Sequence, residues 1–514
     1  MGADSSTGTD GPDAAAKLTD DQRRQGMRSI TWMALSGQAV GTLTGGAFIV
    51  AVLVAYDAPL YVYGLLAALP SLAGVLQVPA AYLVERYRKR KLIAFGAFGG
   101  MRLVGLVFAL VPILAAPEIG TVLILGAVFA KSLAGAVSGP AWNSMVRDIV
   151  PTEGMGNFFA RRQRLTVALG IPLSLGAGWF VTWWSRTYPG QELRGYSLLF
   201  GVAFLAGLTS LYFIKRTPEP EMPPAEGKTK FLDVLLVPFR DTNFRNLMGF
   251  LGSWGFALAI ASPFFTVFLL QRLGYPMSTV IALTVLSQVA NLVFVRIWGR
   301  LVDKFSNKAV LSVSGPLVLG TTALWLFTAM PDPHRFTMVI LVVIHVFRGM
   351  SMAGVSLATG NIALRLAPEG RGAPYLAANS LVGAIAGFAA PLLGGAVAGG
   401  LEGYRFSIQI VLDAPGGSTV VPAFTLQGMD FAFLLATVVG LYAMHRLSMV
   451  VEGEAVKRSV VVRNLFEEIK RPVVSFGEGE QSFILGVPLS ALRTTQRRVG
   501  RFSSFVDSDR YRFR

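Results

Sequence analysis

The chain has 514 residues, of which 53% are hydrophobic and only 15% charged, and its mean hydropathy is +0.54. Soluble proteins carry about 25% charged residues, so a soluble enzyme is excluded as the default and a polytopic membrane protein is expected. The absence of cysteine removes disulfides, zinc–thiolate sites and thiol nucleophiles, and His334, His345 and His445 are too few and too scattered for an ordinary metal site.

Met1–Arg28 is polar and rich in Gly, Asp, Ser and Thr, so 1–28 reads as a disordered N-terminal tail and not as a cleavable signal. A membrane crossing needs about 20 apolar residues. Six candidate spans follow at 29–54, 60–84, 91–115, 119–146, 164–184 and 196–214, and six more at 246–270, 277–299, 308–330, 336–361, 375–400 and 429–448. This divides the chain into a six-helix bundle at 29–214, a linker rich in Pro and charge at 215–245, a second six-helix bundle at 246–448 and a basic tail at 449–514. Between spans 11 and 12, Arg405–Phe424 alternates apolar and polar residues around Pro-Gly-Gly, which predicts a hairpin. In the tail, Val460–Ile469 has the pattern of a surface helix and Arg493–Arg501 that of a segment lying on anionic lipid.

Lysine and arginine set the orientation. With the N-terminus in the cytoplasm, the loops on that side hold 21 basic residues and the opposite loops 5. Both termini are therefore expected in the cytoplasm. The net charge of +16 becomes a topology signal, and nucleic acid is not an expected partner.

The two halves repeat each other. Leu83-Val84-Glu85-Arg86 at the end of span 2 corresponds to Leu301-Val302-Asp303-Lys304 at the end of span 8, and the pairs Asn143/Asn361 and Arg147/Arg365 keep the same spacing along the chain. On these residues the chain resembles the major facilitator superfamily (MFS) over essentially all twelve spans. The family's loop motif, Gly-x-Leu-Ala-Asp-Arg-x-Gly-Arg-Arg, is matched by Leu83, Glu85, Arg86, Lys89 and Arg90, with Ala81 and Arg88 replacing the glycines. The second copy keeps Gly299, Leu301, Asp303, Lys304 and Lys308, while Lys131 and Gly135 stand for the family's Arg-x-x-x-Gly in span 4. Gly170, Pro172, Gly176 and Gly178 are a remnant of its antiporter motif in span 5, a departure that weakens antiport.

The resemblance implies an all-α fold of twelve transmembrane helices in two pseudo-symmetric six-helix halves, working by alternating access without a cofactor. It also implies a latch in which an arginine of the loop motif bonds Asp148 at the end of span 4. The position equivalent to Asp148 in the second half is Leu366, so an asymmetric latch is expected, tighter in the first half.

No Asp or Glu lies within any apolar core, whereas Lys131 is mid-way along span 4 and Arg348 mid-way along span 10. The resemblance places spans 1, 4, 7 and 10 around a central cavity. Two cations facing that cavity with no buried acid predict an anionic ligand. His345, three residues before Arg348, shares its helical face and is the candidate for a coupling proton. Gln38 in span 1 and Trp254 in span 7 are further substrate-contact candidates, although interhelical packing is the commoner use of such residues. Arg102 in span 3, taken to lie a turn or two from the inner surface, is expected to snorkel to it.

The function expected is secondary transport of a small organic solute, with an anion or zwitterion favoured. The protein would work in the cytoplasmic membrane as a monomer in contact with lipid. Export of drug-like compounds, or a non-transporting assembly or sensor role, are the alternatives. No nucleophile–base set or dinucleotide motif suggests an enzyme.

Overall fold

The structure, a computed structural model, describes residues 18–220, 237–330, 333–367, 372–414, 417–453, 456–475, 483–484 and 487–488. Most of the expected N-terminal tail, linker residues 221–236 and the expected lipid-facing segment Arg493–Arg501 lie outside the described residues.

Among the described residues, eleven helices are long and apolar enough to cross a membrane. The first runs from Asp20, well before residue 29, because Thr19 and Gln22 cap each other reciprocally and Asp20 and Asp21 complement the helix dipole. It ends at Ala55, interrupted at Thr44 and Gly45. The expected second span is broken into Leu60–Gly74 and Gln77–Tyr87. Gly74 weakens the first piece at its end, and Pro79 lacks the N–H that a continuous helix would need there, a loss tolerated in the first turn of a new helix. Spans 3 to 6 are Arg90–Leu114, Pro117–Ile149, Met155–Thr187 and Glu192–Arg216. Spans 7 to 12 are Thr242–Arg272, Met277–Lys304, Asn307–Phe327, Thr337–Arg365, Gly372–Gly400 and Met429–Ser448.

Both described chain ends belong to one face of the bundle, here the tail face, which also carries the helix Arg458–Ser475. On the opposite, hairpin face, Arg405–Ala414 pairs antiparallel with Gly417–Gln427. The hairpin and the tail helix both extend the stretches foreseen from the pattern.

Within the first half, span 1 packs on spans 5 and 6, span 3 on spans 4 and 6, and span 2 on span 4. In the second half, span 7 packs on spans 11 and 12, span 8 on span 10, and span 9 on spans 10 and 12. The halves meet through span 2 against span 11 and span 5 against span 8. Small residues allow the first contact. A Cβ on Gly64 would collide with the Pro391 carbonyl oxygen and lie 2.9 Å from the Gly395 Cα, and one on Gly387 would collide with Ser71 Oγ. In the second contact Gly178 abuts Ile281, and the Ser278 amide donates to Thr182 Oγ1 at 2.9 Å.

These contacts belong to the hairpin-side part of the spans. There one apolar cluster runs through both halves, from Phe48, Phe108 and Phe200 to Phe264, Phe268 and Phe433. Toward the tail face the core divides. Trp142, Val146 and Ile149 belong to a cluster of the first half, and Phe244, Trp298 and Ile362 to a separate one of the second. The halves are thus joined on the hairpin side and part toward the tail side.

Candidate functional site

Span 1 loses its helical course at Thr44, and a short helix, Gly46–Ala55, starts afresh after Gly45. The Thr44 hydroxyl donates to the Val40 carbonyl at 2.8 Å and accepts from Lys131 Nζ at 2.9 Å. The ammonium also lies 5.7 Å from the centre of the Phe108 ring in span 3. A fresh helix start leaves its first amides without intrahelical partners and carries the positive end of the helix dipole. Open space lies above Gly41 and Gly46 on either side of the break. The result is a concentration of positive charge and N–H donors midway along spans 1 and 4.

Span 7 is interrupted at Ser262 and Pro263. Ser262 is the counterpart of Thr44 under the spacing that relates Leu83 to Leu301. The two interruptions therefore belong to the repeat. Beside the second, the Arg348 guanidinium lies 4.4 Å from the centre of the Phe265 ring. Its Nη1 is buried without a hydrogen-bond partner, in a cleft between Ala261, Leu319, Thr322 and Ala436 that has no room for a water molecule.

The other expected site residues divide. His345 is buried, its Nδ1 is 2.7 Å from the Leu341 carbonyl oxygen, and its ring packs edge-on to Trp325. It shares a face with Arg348, as the spacing implied, but that face meets the aromatic cluster of the second half. Gln38 donates to Thr42 Oγ1 at 3.1 Å and is wedged against Gly170 of span 5. Trp254 is 3% exposed and fills the space beside Gly315 of span 9 and Met444 of span 12. Its indole N–H is buried without a hydrogen-bond partner.

Lys131 lies among spans 1, 3 and 4, and Arg348 among spans 7, 9 and 12, so each makes its contacts within its own half. Arg102 does not reach the surface; it donates to Ser210 Oγ of span 6 from Nε and Nη2, at 3.1 and 2.8 Å.

The loop motif makes different contacts in the two halves. In the first half Arg90, only 1% exposed, contacts Asp148 Oδ2 at 2.5 Å and donates to Ser144 Oγ at 2.8 Å. Its Nη2 donates to the Pro220 carbonyl at 2.6 Å, and the Lys91 amide donates to Glu219 Oε1 at 2.9 Å. Arg86 and Leu83 are exposed, and the Glu85 side chain lies outside the described ones. In the second half Asp303 is exposed, Gly299 is close to Leu357 of span 10, and Lys304 donates to Asn464 Oδ1 of the tail helix at 2.6 Å. Leu366 offers no acid, but Glu452, just past span 12, does. It accepts from Asn307 Nδ2 at 2.7 Å and from the Lys308 amide at 2.6 Å. The expected weakness of the second half is thus compensated by an acid from the segment after its last span. No repeat offset points to that residue. Glu452→Ala is expected to cost about 2 kcal/mol, through loss of a cap and an unsatisfied buried amide. A thermal melt of the purified protein that matches the wild type would count against it.

The family profile described as Major Facilitator Superfamily matches residues 30–391. No curated protein sequence matches the chain significantly. Among solved structures, a D323A variant of the nucleoside transporter NupG superposes with a TM-score of 0.61 at 15% identity, covering 84% of this chain and 100% of that one. A bacterial homologue of the lysosomal transporter Spinster, inward-facing and unoccupied, gives 0.58 at 13% identity, covering 88% and 99%. A bacterial homologue of the iron transporter ferroportin, inward-facing, gives 0.56 at 14%, covering 83% and 98%. At such identities these likenesses establish the fold and leave the solute open.

Proposed function

The chain belongs to the major facilitator superfamily and is a membrane transporter, and from that premise we propose that it carries a small organic anion or zwitterion by alternating access. The single observation that supports this reading is the Lys131 ammonium held on Thr44 where span 1 starts a fresh helix. A broken span whose half-helix N-terminus faces an anionic group is a recurring solution in secondary transporters. Here a cation reinforces it, and among the described residues no carboxylate is within ion-pair reach of Lys131. Arg348 beside the equivalent interruption would set the potential of the second half.

The excess of basic residues in the tail-side loops supports assigning the tail face to the cytoplasm. The solute site would then open inward in this conformation, since the two cores separate toward that face.

The test is uptake of a panel of labelled organic acids into proteoliposomes. Lys131→Ala is expected to lower transport of the accepted anion by about tenfold or more, the worth of one charge-assisted hydrogen bond. Lys131→Arg should retain part of it. If transport of every accepted anion is indifferent to Lys131→Ala, the charge reading fails and the fold assignment is untouched.

A further inference from the structure

We propose that the hairpin between spans 11 and 12 is a membrane-lying ribbon, seated by one apolar face on the lipid of the leaflet at the hairpin face. Its base is rigid. Gly428, with φ +51°, joins Gln427 directly to span 12, and Asp430 Oδ2 accepts the Gln427 amide at 3.0 Å. The Arg272 guanidinium lies against the Gln427 side-chain amide. Only Leu401–Tyr404 separate the first strand from span 11. The ribbon therefore starts at the level where the spans leave the hydrocarbon.

Alternation along the first strand places Phe406, Ile408, Ile410 and Leu412 on one face, with Phe406 opposite Leu426 and Ile408 opposite Phe424 before the register shifts between Ile408 and Gln409. At the base of this face Leu426 is buried, and the Phe424 ring lies 6.3 Å from that of Phe327, at the end of span 9. The main neighbours of span 9 are spans 10 and 12, and its end at the hairpin face exposes Leu324 and Phe327. The Phe424 contact sets the hairpin against the end of span 9. A ten-residue strand reaches about 33 Å, whereas a helix is about 10 Å across, so the ribbon outruns span 9.

Along this face Phe406, Ile408, Ile410 and Leu412 are each more than half exposed. The other face presents Arg405, Ser407, Gln409 and Asp413, with Val411 and its cross-strand partner Val420 as exposed apolar exceptions. An uncharged row that reaches the exposed Leu324 and Phe327 at the end of span 9, backed by a row that carries Arg405, Ser407, Gln409 and Asp413, matches the boundary between acyl chains and water.

The chain lacks cysteine, so single-cysteine labelling needs no background removal. Ile410→Cys and Gln409→Cys are each spin-labelled in the full-length protein in lipid nanodiscs, with Leu412→Cys as a second apolar-face position. Relaxation by oxygen, which concentrates in acyl chains, is compared with relaxation by a water-soluble nickel chelate. The expected result is loss of nickel accessibility with gain of oxygen accessibility at 410 and 412, and the reverse at 409. Equal nickel accessibility at all three positions would mean that the ribbon stands in water, and the proposal is overturned. Shielding of 410 from both reagents that disappears on dilution to one protein per disc would mean a second copy covers the face, and overturns it equally.

Discussion

Gly64→Leu is expected to abolish transport while leaving each half folded. Even the Cβ of an alanine there would collide with the Pro391 carbonyl oxygen and lie 2.9 Å from the Gly395 Cα. Both are backbone atoms, which cannot swing aside as a flexible side chain would, so spans 2 and 11 must separate. Overpacking of this kind costs about 1–3 kcal/mol, and a contact forced against backbone falls at the upper end. A penalty of about 3 kcal/mol on the hairpin-side closure lowers its population relative to other states by roughly two orders of magnitude. Alternating access needs that closure in every cycle. Distances between spin labels at the hairpin-side ends of spans 2 and 11 should lengthen, and uptake should vanish. Gly176→Ala, at a position with nothing within 4 Å, is the matched control and should transport normally. Wild-type uptake by Gly64→Leu would show that the seam is not needed.

The second large effect concerns stability. Arg90 is 1% exposed and Asp148 25% exposed. Removing the acid strands a guanidinium whose remaining partners are the Ser144 hydroxyl and the Pro220 carbonyl. Breaking a buried ion pair on one side costs about 3–5 kcal/mol, and the partial exposure of Asp148 puts Asp148→Ala near the lower bound. Removing both charges is milder, because the cost lies in the stranded cation. Arg90→Met combined with Asp148→Ala should therefore recover much of the loss. The readout is the unfolding midpoint of the detergent-purified protein, compared across the single and double variants. A double variant less stable than Asp148→Ala alone would refute this account of the pair. Because Arg90 also holds Pro220, where the chain leaves span 6, the same change should loosen the start of the linker.

Much of the site was visible only in outline from the chain. Lys131 and Arg348 stand out because a cation in an apolar run is rare and costly, so the sequence marks them whatever they touch. What they touch depends on rotation about the helix axis, which a nearly uniform apolar surface does not specify. Trp254 illustrates the same limit: an indole in a span can serve a ligand or a core, and its place beside Gly315 of span 9 was set by packing that the chain did not spell out. The Thr44-Gly45-Gly46 interruption had a local signal in its paired glycines, and its counterpart at Ser262-Pro263 had one in proline and in the spacing shared with the loop motifs. The Glu452 cap had none, since it joins the start of span 9 to a segment beyond span 12 and matches no motif.

Hydropathy and charge are sums over neighbouring residues, and for that reason the unaided chain already determined the twelve crossings, their grouping into duplicated halves and the basic bias of alternate loops. Insertion into a bilayer depends on the same sums. The placement of the seam between halves, the division of the core toward one face, the break in span 2 and the partner of each buried ion were decided only in three dimensions. Each turns on which side chains or backbone atoms stand opposite one another across helices. Glycine meeting carbonyl at Gly64 and Pro391, or arginine meeting aspartate at Arg90 and Asp148, is a fact of packing between spans that no single span contains.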